Sequence, residues 1–174
     1  MEHGDRVDGL VAMDSVPLPE ILARADWRFA KAWWHWWFLA QLEKPAEDVI
    51  CADPDRWYRV NGPEVMGEEA HADLWAALRD PAVVHGMCED YRAGLTVDAR
   101  HWEEHGERGT RIGCPVLMLY ATRDDMEELY GDPVDLWRPW VRGRLEGRPI
   151  ESGHHQAEEA PEELAEALLD FLAA

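Results

Sequence analysis

A chain of 174 residues, 47% of them hydrophobic, is long enough to bury the core of one domain. Its 36 acidic and 17 basic residues give a formal net charge of −19, which argues against nucleic acid as a partner because phosphates attract positive charge. The three cysteines are widely spaced and form no C-x-x-C pair, so they indicate neither a disulfide framework nor a zinc site. No apolar run approaches the roughly 20 residues of a membrane span, and the N-terminus has no signal-peptide core. We therefore expect a cytoplasmic protein with no membrane partner.

The hydrophobic pattern alternates between strand-like and helix-like segments along the chain. The clearest strand has five consecutive apolar residues after Pro115, which is typical of a parallel strand covered on both faces. We predict strands at 7–14, 114–121 and 144–150, the first of them buried, and helices at 18–41, 69–78, 82–94, 133–141 and 161–172. This alternation indicates an α/β fold.

A stretch rich in tryptophan lies in the first predicted helix. Four of the ten tryptophans surround His35, between Trp33 and Trp37. On a helical wheel the indoles spread over most of the arc, which predicts a largely buried helix with His35 in a polar stripe. The indoles are then core filler. Alternatively, His35 and Trp36 are N–H donors aimed into a dry pocket, and the helix must then end or distort near His35, because adjacent residues on a regular helix diverge.

Charged and titratable residues follow the predicted strands. Asp14 ends the first strand, and His154 lies in a Gly-His turn after the last one. A histidine and a carboxylate at two strand ends are the base and the orienting acid of a nucleophilic triad. Asp124, in the loop after the second strand, is a rival acid.

Four motifs give a more specific indication, and they are similar to a known family. They lie at 13–17, 35–41, 87–94 and 150–161, and read MDSVP, HWWFLAQ, MCEDYRAG and IESGHHQAEEAP. In order and approximate spacing these segments resemble the haloacetate (fluoroacetate) dehalogenases of the α/β-hydrolase superfamily.

The resemblance implies a partial α/β-hydrolase fold, with about three parallel strands and a helical cap inserted after the first. The first core strand and acid turn would occupy 1–17, the cap or lid 18–106, and the C-terminal core 107–174. Asp14 and His154 would be the catalytic acid and base, and three donors would bind the departing halide: His35, Trp36 and Tyr91. The implied substrate is a small anionic halogenated acid, and no cofactor is implied.

The sequence departs from this family at the nucleophile. No Gly-x-Asp-x-Gly elbow is present, and the two Gly-x-x-x-Gly stretches carry Arg111 and Leu145 at their centres. The chain therefore resembles the C-terminal portion of such an enzyme, the lid and the last strands, and we expect it to be inactive alone. Two alternatives remain: an epoxide hydrolase-type hydrolase, and a non-catalytic binding or assembly module that self-associates through the exposed edge of the Asp14 strand.

Two further charged patterns receive ordinary interpretations. His101 and His105 have a metal-capable spacing but lack the metalloprotease motif, so we predict an incidental pair on a solvated face and no metal site. The acids of 158–159 and 162–163 are assigned to the first turns of the last helix, where the helix dipole favours them.

Overall fold

The computed structural model of the chain describes residues 3–173. The predicted segments 1–17 and 107–174 extend beyond this range, since Met1, Glu2 and Ala174 lie outside the described residues. Two compact units are present. One consists of residues Trp27–Arg100, and the other combines the described residues up to Asp26 with those from His101 onward. The three-part division predicted from the sequence stays a prediction.

The second unit is built on a parallel sheet of three strands, β1 (Leu10–Met13), β2 (Val116–Ala121) and β3 (Leu145–Ile150). Their order is β1-β2-β3, with Leu10 aligned with Val116 and Val116 with Leu145. The predicted three parallel strands are therefore confirmed.

The α-helices of both units are, in chain order, α1 (Leu18–Arg24), α2 (Trp27–Ala32), α3 (His35–Leu39), α4 (Ala46–Ala52), α5 (Pro54–Trp57), α6 (Pro63–Met66), α7 (Glu68–Leu78), α8 (Pro81–Ala93), α9 (Ala99–Glu107), α10 (Met126–Tyr130), α11 (Pro133–Trp137), α12 (Gln156–Glu159) and α13 (Pro161–Ala173).

The central strand β2 is buried, as its apolar run predicts. Its aliphatic residues are all buried, and Tyr120 is half-buried. One face of the sheet packs against α13, through a core of Leu117, Leu119, Ile150, Leu164, Ala167 and Phe171. The prediction that the first strand is buried was wrong: β1 is half-buried and Met13 is 40% exposed. The reason is its place in the sheet, since β1 has β2 as its only partner strand among residues 3–173.

The unit Trp27–Arg100 is helical. Its core consists of Leu39, Ala46, Ile50, Val84 and Cys88, which come from α3, α4 and α8. The short helix α5 begins where the sequence supplies a cap, because an aspartate side chain can accept a backbone N–H of the first turn. Asp53 accepts the N–H of Arg56 in this way at the start of α5, and Pro54 is the first residue of the helix.

The predicted helix over 18–41 is three helices. α2 ends at Ala32 and α3 begins at His35, so the expected distortion near His35 is confirmed. The prediction that this stretch is largely buried was wrong. Trp27 is 72% exposed, Trp34 49% and Trp37 37%, because three short helices bury one side each and leave the other in solvent. Among the described residues, no helix combines the length and apolar character needed to cross a membrane.

Candidate functional site

Asp14 follows β1 in an unusual backbone conformation. Its φ is 46°, in the left-handed region, and no other non-glycine residue among residues 3–173 has a positive φ. Aspartate tolerates this region better than most residues, and such strain often accompanies a functional role. The Asp14 N–H donates to the Leu119 carbonyl at 2.8 Å, and its Oδ1 accepts the Ala121 N–H at 3.0 Å. The carboxyl is therefore fixed against the end of β2.

His154 lies after β3, and its imidazole contacts both predicted acids. Nδ1 is 2.7 Å from Oδ2 of Asp14 and 3.0 Å from Oδ2 of Asp124. Asp124 comes from the loop after β2, where its other oxygen accepts the Asp125 N–H at 2.8 Å. The sequence left Asp14 and Asp124 as rivals, and the structure brings both to the same nitrogen.

The three groups shift one another's pKa in different directions. Burial alone would raise the pKa of Asp14, but the hydrogen bonds from His154 and the Ala121 N–H outweigh it and hold that pKa below 3.8. Burial and the hydrogen bond with Asp14 raise the pKa of Asp124. The hydrogen bond to Asp14 raises the pKa of His154 above 6.5, against the opposing effect of burial. Asp14 is thus the charged partner, because it accepts hydrogen bonds from His154 and from the Ala121 N–H, whereas Asp124 carries the raised pKa.

This arrangement selects the tautomer of His154. With the Nδ1 proton donated to the carboxylates, Nε2 is the nitrogen that can accept a proton from water. The His154 side chain is 45% exposed, so water can reach the ring. Histidine oriented in this way is a suitable general base.

Within residues 3–173, the same three side chains form a group that could hold a metal ion. Asp14, Asp124 and His154 each offer a ligand atom, and these atoms lie within 4.8 Å of one another. However, the Nδ1 to Asp14 distance of 2.7 Å is that of a charge-assisted hydrogen bond. Hydrogen bonding accounts for the geometry without a metal. His101 and His105 belong to no such group within residues 3–173.

The predicted halide donors lie in the helical unit, and the structure brings them together. The ring of Tyr91, on α8, is 5.9 Å from the ring of His35 and 5.8 Å from that of Trp36, both at an interplanar angle of 81°. Because α3 begins at His35, these adjacent residues reach the same tyrosine. Burial raises the pKa of Tyr91, so its hydroxyl keeps its proton and remains a donor at neutral pH.

An ion pair that the sequence analysis did not identify ties α8 to the rest of this unit. Arg92 donates to both carboxylate oxygens of Glu47 at 2.7 Å and to the Gln41 carbonyl at 2.9 Å. The hydrogen bonds from Arg92 lower the pKa of Glu47 to about 2. Arg92 follows Tyr91 on α8, and Gln41 lies just after α3, so the hydrogen bond from Arg92 to the Gln41 carbonyl links the segments that carry the donors, while the ion pair links α8 to α4. The residues are 45 positions apart, and no local pattern indicates their contact.

Replacing either acid tests the assignment of charge. Asp14→Asn should lower the pKa of His154 toward 6.5, and Asp124→Asn should lower it less, since the Asp14 hydrogen bond is the largest cause of the shift. Asparagine also tolerates the left-handed φ. NMR titration of the imidazole measures both. Because the raised pKa stabilises the fold below 6.5 and this contribution is lost as the pH rises through the folded value, wild type should lose more stability than Asp14→Asn over that range.

Asp135→Asn is the matched control for this titration, since Asp135 is 69% exposed and pairs with Arg138. It should leave the pKa of His154 unchanged. A larger effect of Asp124→Asn than of Asp14→Asn would contradict the assignment.

Comparison with known proteins finds relatives that align with nearly the whole chain. No family model matches it. A fluoroacetate dehalogenase from Burkholderia sp. is 32% identical over 179 residues, which cover 99% of this chain and 58% of that protein. A candidate α/β hydrolase from Nostoc sp. PCC 7120 has a TM-score of 0.90 at 33% identity over 98% of this chain and 60% of its own. A candidate epoxide hydrolase from Pseudomonas aeruginosa has a TM-score of 0.84 at 33% identity, over 99% and 59%.

The chain thus spans about 58% of the length of its curated relative. This coverage fits the predicted correspondence to the C-terminal portion of the fold. The parallel sheet and the similarity over nearly the whole chain have the same explanation: the chain is a homologue of fluoroacetate dehalogenase and has a partial α/β-hydrolase fold.

Proposed function

We propose that this chain supplies the general base and the halide-binding donors of a haloacetate dehalogenase-type hydrolase, whose substrate is a small anionic halogenated acid. The observation that carries the proposal is the 2.7 Å contact between His154 Nδ1 and Asp14 Oδ2, at the two positions where the resemblance requires base and acid. The cluster of His35, Trp36 and Tyr91 supports the choice of a halogenated substrate.

In the proposed reaction a carboxylate nucleophile attacks the carbon that bears the halogen. A carbon–oxygen bond forms, the carbon–halogen bond breaks, and the halide leaves with the electron pair. Neutral N–H and O–H donors stabilise that developing charge. Water then attacks the resulting ester carbonyl while His154 Nε2 accepts its proton, which releases the hydroxy acid and restores the carboxylate.

The nucleophile is the part of this reaction that the sequence does not supply. The 174 residues contain no Gly-x-Asp-x-Gly segment. Asp14 and Asp124 are held on Nδ1 of His154 and act as its orienting acids. We therefore infer that these residues release no halide by themselves and become active when a segment with the nucleophile joins them.

An epoxide hydrolase is the alternative within the same superfamily. A tyrosine O–H such as that of Tyr91 can donate to an epoxide oxygen, and catalytic residues on a shared fold do not fix the substrate. A Pseudomonas aeruginosa structure similar to this chain is named as a candidate for that activity. The activity test must therefore offer both substrates.

The proposal predicts the outcome of a complementation assay. The chain alone should release no fluoride from fluoroacetate, whereas its mixture with the part of the Burkholderia relative that it does not match should do so. His154→Gln should reduce turnover by about 10²-fold or more. Trp36→Phe, which removes one donor, should cost about 10²- to 10³-fold.

Trp75→Phe is the matched control, because Trp75 is also a tryptophan of the helical unit and its indole donates to His71. It should retain turnover. Halide release by the chain alone would contradict the inferred inactivity. Turnover of an epoxide but not of fluoroacetate would replace the proposed substrate by the alternative.

The open edge of β1 favours a second candidate function, a module that self-associates. The N–H groups of Leu10 and Asp14 face β2, where they donate to the Pro115 and Leu119 carbonyls. Since successive residues of a strand point their amides to opposite sides, those of Val11 and Met13 face away from β2. An open strand edge of this kind can pair with a second copy of the chain.

Val11→Pro tests this function with little effect on the β1–β2 ladder, because proline removes an N–H that faces the open edge. If the edge pairs two copies, light scattering after size exclusion should find dimers of the wild type and monomers of Val11→Pro. The formal charge of −19 on each copy means that added salt should favour the dimer. A wild-type monomer at micromolar concentration and high salt would rule out this function.

A further inference from the structure

The turn that carries His154 is held by a carboxylate from outside the turn. The Gly153 N–H donates to Oε2 of Glu159 at 2.9 Å. Glu159 ends α12, a separate short helix, and does not lie in the first turn of the last helix as expected. Its assignment as a helix-dipole acid was therefore wrong, since Pro161 begins a new helix and Glu159 points back to the turn.

Arg123 joins this turn to the loop that carries Asp124. Its Nη2 lies 3.2 Å from the same oxygen of Glu159, and its Nη1 lies 3.2 Å from Oε1 of Glu151. Its backbone N–H donates to the Ser152 carbonyl at 3.0 Å. The residue before Asp124 thus contacts the turn at Glu151 and Ser152 and also contacts the Glu159 carboxylate that accepts the Gly153 N–H.

Glycine at position 153 allows this contact. A Cβ on Gly153 would lie 2.9 Å from Oε1 and 3.2 Å from Oε2 of Glu159. Any side chain there would displace the carboxylate that accepts the N–H. Glycine is therefore required at position 153 for a steric reason, since only glycine leaves room for the Glu159 carboxylate beside the backbone.

We propose that Glu159 is a positioning residue for His154. Through the Gly153 N–H and the Arg123 guanidinium it fixes the turn so that Nδ1 faces Asp14 and Asp124. The proposal rests on the proposed role of His154 as the general base. Its test measures the imidazole itself, so that its failure is distinguishable from a failure of the proposed hydrolase activity.

The need for such a residue follows from the difference in exposure between Asp14 and His154. The Asp14 side chain is 3% exposed and held by backbone, whereas the His154 side chain is 45% exposed and depends on its turn for orientation. Among the ionisable groups near the imidazole are Asp14, Asp124 and the neighbouring ring of His155, at 5.6 Å. The Gly153 N–H and Arg123 lower the pKa of Glu159, so it stays ionised at neutral pH and can hold both donors.

The test is the NMR pKa of His154 in matched variants of the full chain. Glu159→Ala should lower that pKa by about 0.5 or more toward 6.5, because the contact with Asp14 that raises it is weakened. Glu159→Gln keeps an oxygen that can accept the Gly153 N–H, so it should restore most of the wild-type value. Glu162→Ala removes an exposed acid near the start of α13 and should change nothing.

Gly153→Ala provides a second route to the same result, because its methyl group displaces the Glu159 carboxylate and leaves the charge in place. It should lower the pKa of His154 as Glu159→Ala does, and the double variant should lower it little further. An unchanged pKa in both single variants, each folded by circular dichroism, would overturn the proposal. Equal shifts in Glu159→Ala and Glu159→Gln would overturn it as well, since charge and not position would then be the cause.

Discussion

The hydrogen bonding of one imidazole nitrogen to two carboxyl groups is the interaction on which the site depends. His154 Nδ1 lies within 3.0 Å of both Asp14 and Asp124. This contact requires the order and direction of the sheet, because β1, β2 and β3 are adjacent and parallel and so end at the same edge. The carboxyl ends of parallel strands are where α/β folds place their chemistry. Each strand contributes one of the three groups through the residues that follow it.

The location of these groups could be predicted from the sequence, because a polar residue directly after an apolar run marks a strand end. Asp14 and His154 were found in this way, and the family motifs supported both. The choice between Asp14 and Asp124 could not be made, since it depends on which carboxyl accepts the Ala121 N–H and the shorter contact with His154, and these contacts are properties of the folded sheet. Glu159 was assigned to the wrong helix for a similar reason. Its contact with the Gly153 N–H depends on how α12 folds back toward the turn, and the sequence places no pattern there.

The helical unit illustrates the same limit at the tryptophan-rich stretch. The pattern predicted a distortion near His35 only if His35 and Trp36 share a site, and the break between α2 and α3 allows both to contact Tyr91. Hydrophobic periodicity overestimated the burial of the tryptophan side chains, because it cannot indicate how many other elements pack against a helix. The Arg92–Glu47 pair, which connects α8 to α4, joins residues with no local relation. Long-range ion pairs of this kind are found from the structure.

The central claim is that Asp14 is the charged partner of His154 and Asp124 the more readily protonated one. A ¹³C NMR titration of both aspartate carboxyl groups in the same sample tests it most directly. Asp14 should titrate below 3.8, because His154 and the Ala121 N–H stabilise its carboxylate, and Asp124 should titrate above 3.8, because burial and Asp14 disfavour its charge. The reverse order, or two carboxyls that titrate together at the ordinary value, would contradict the account.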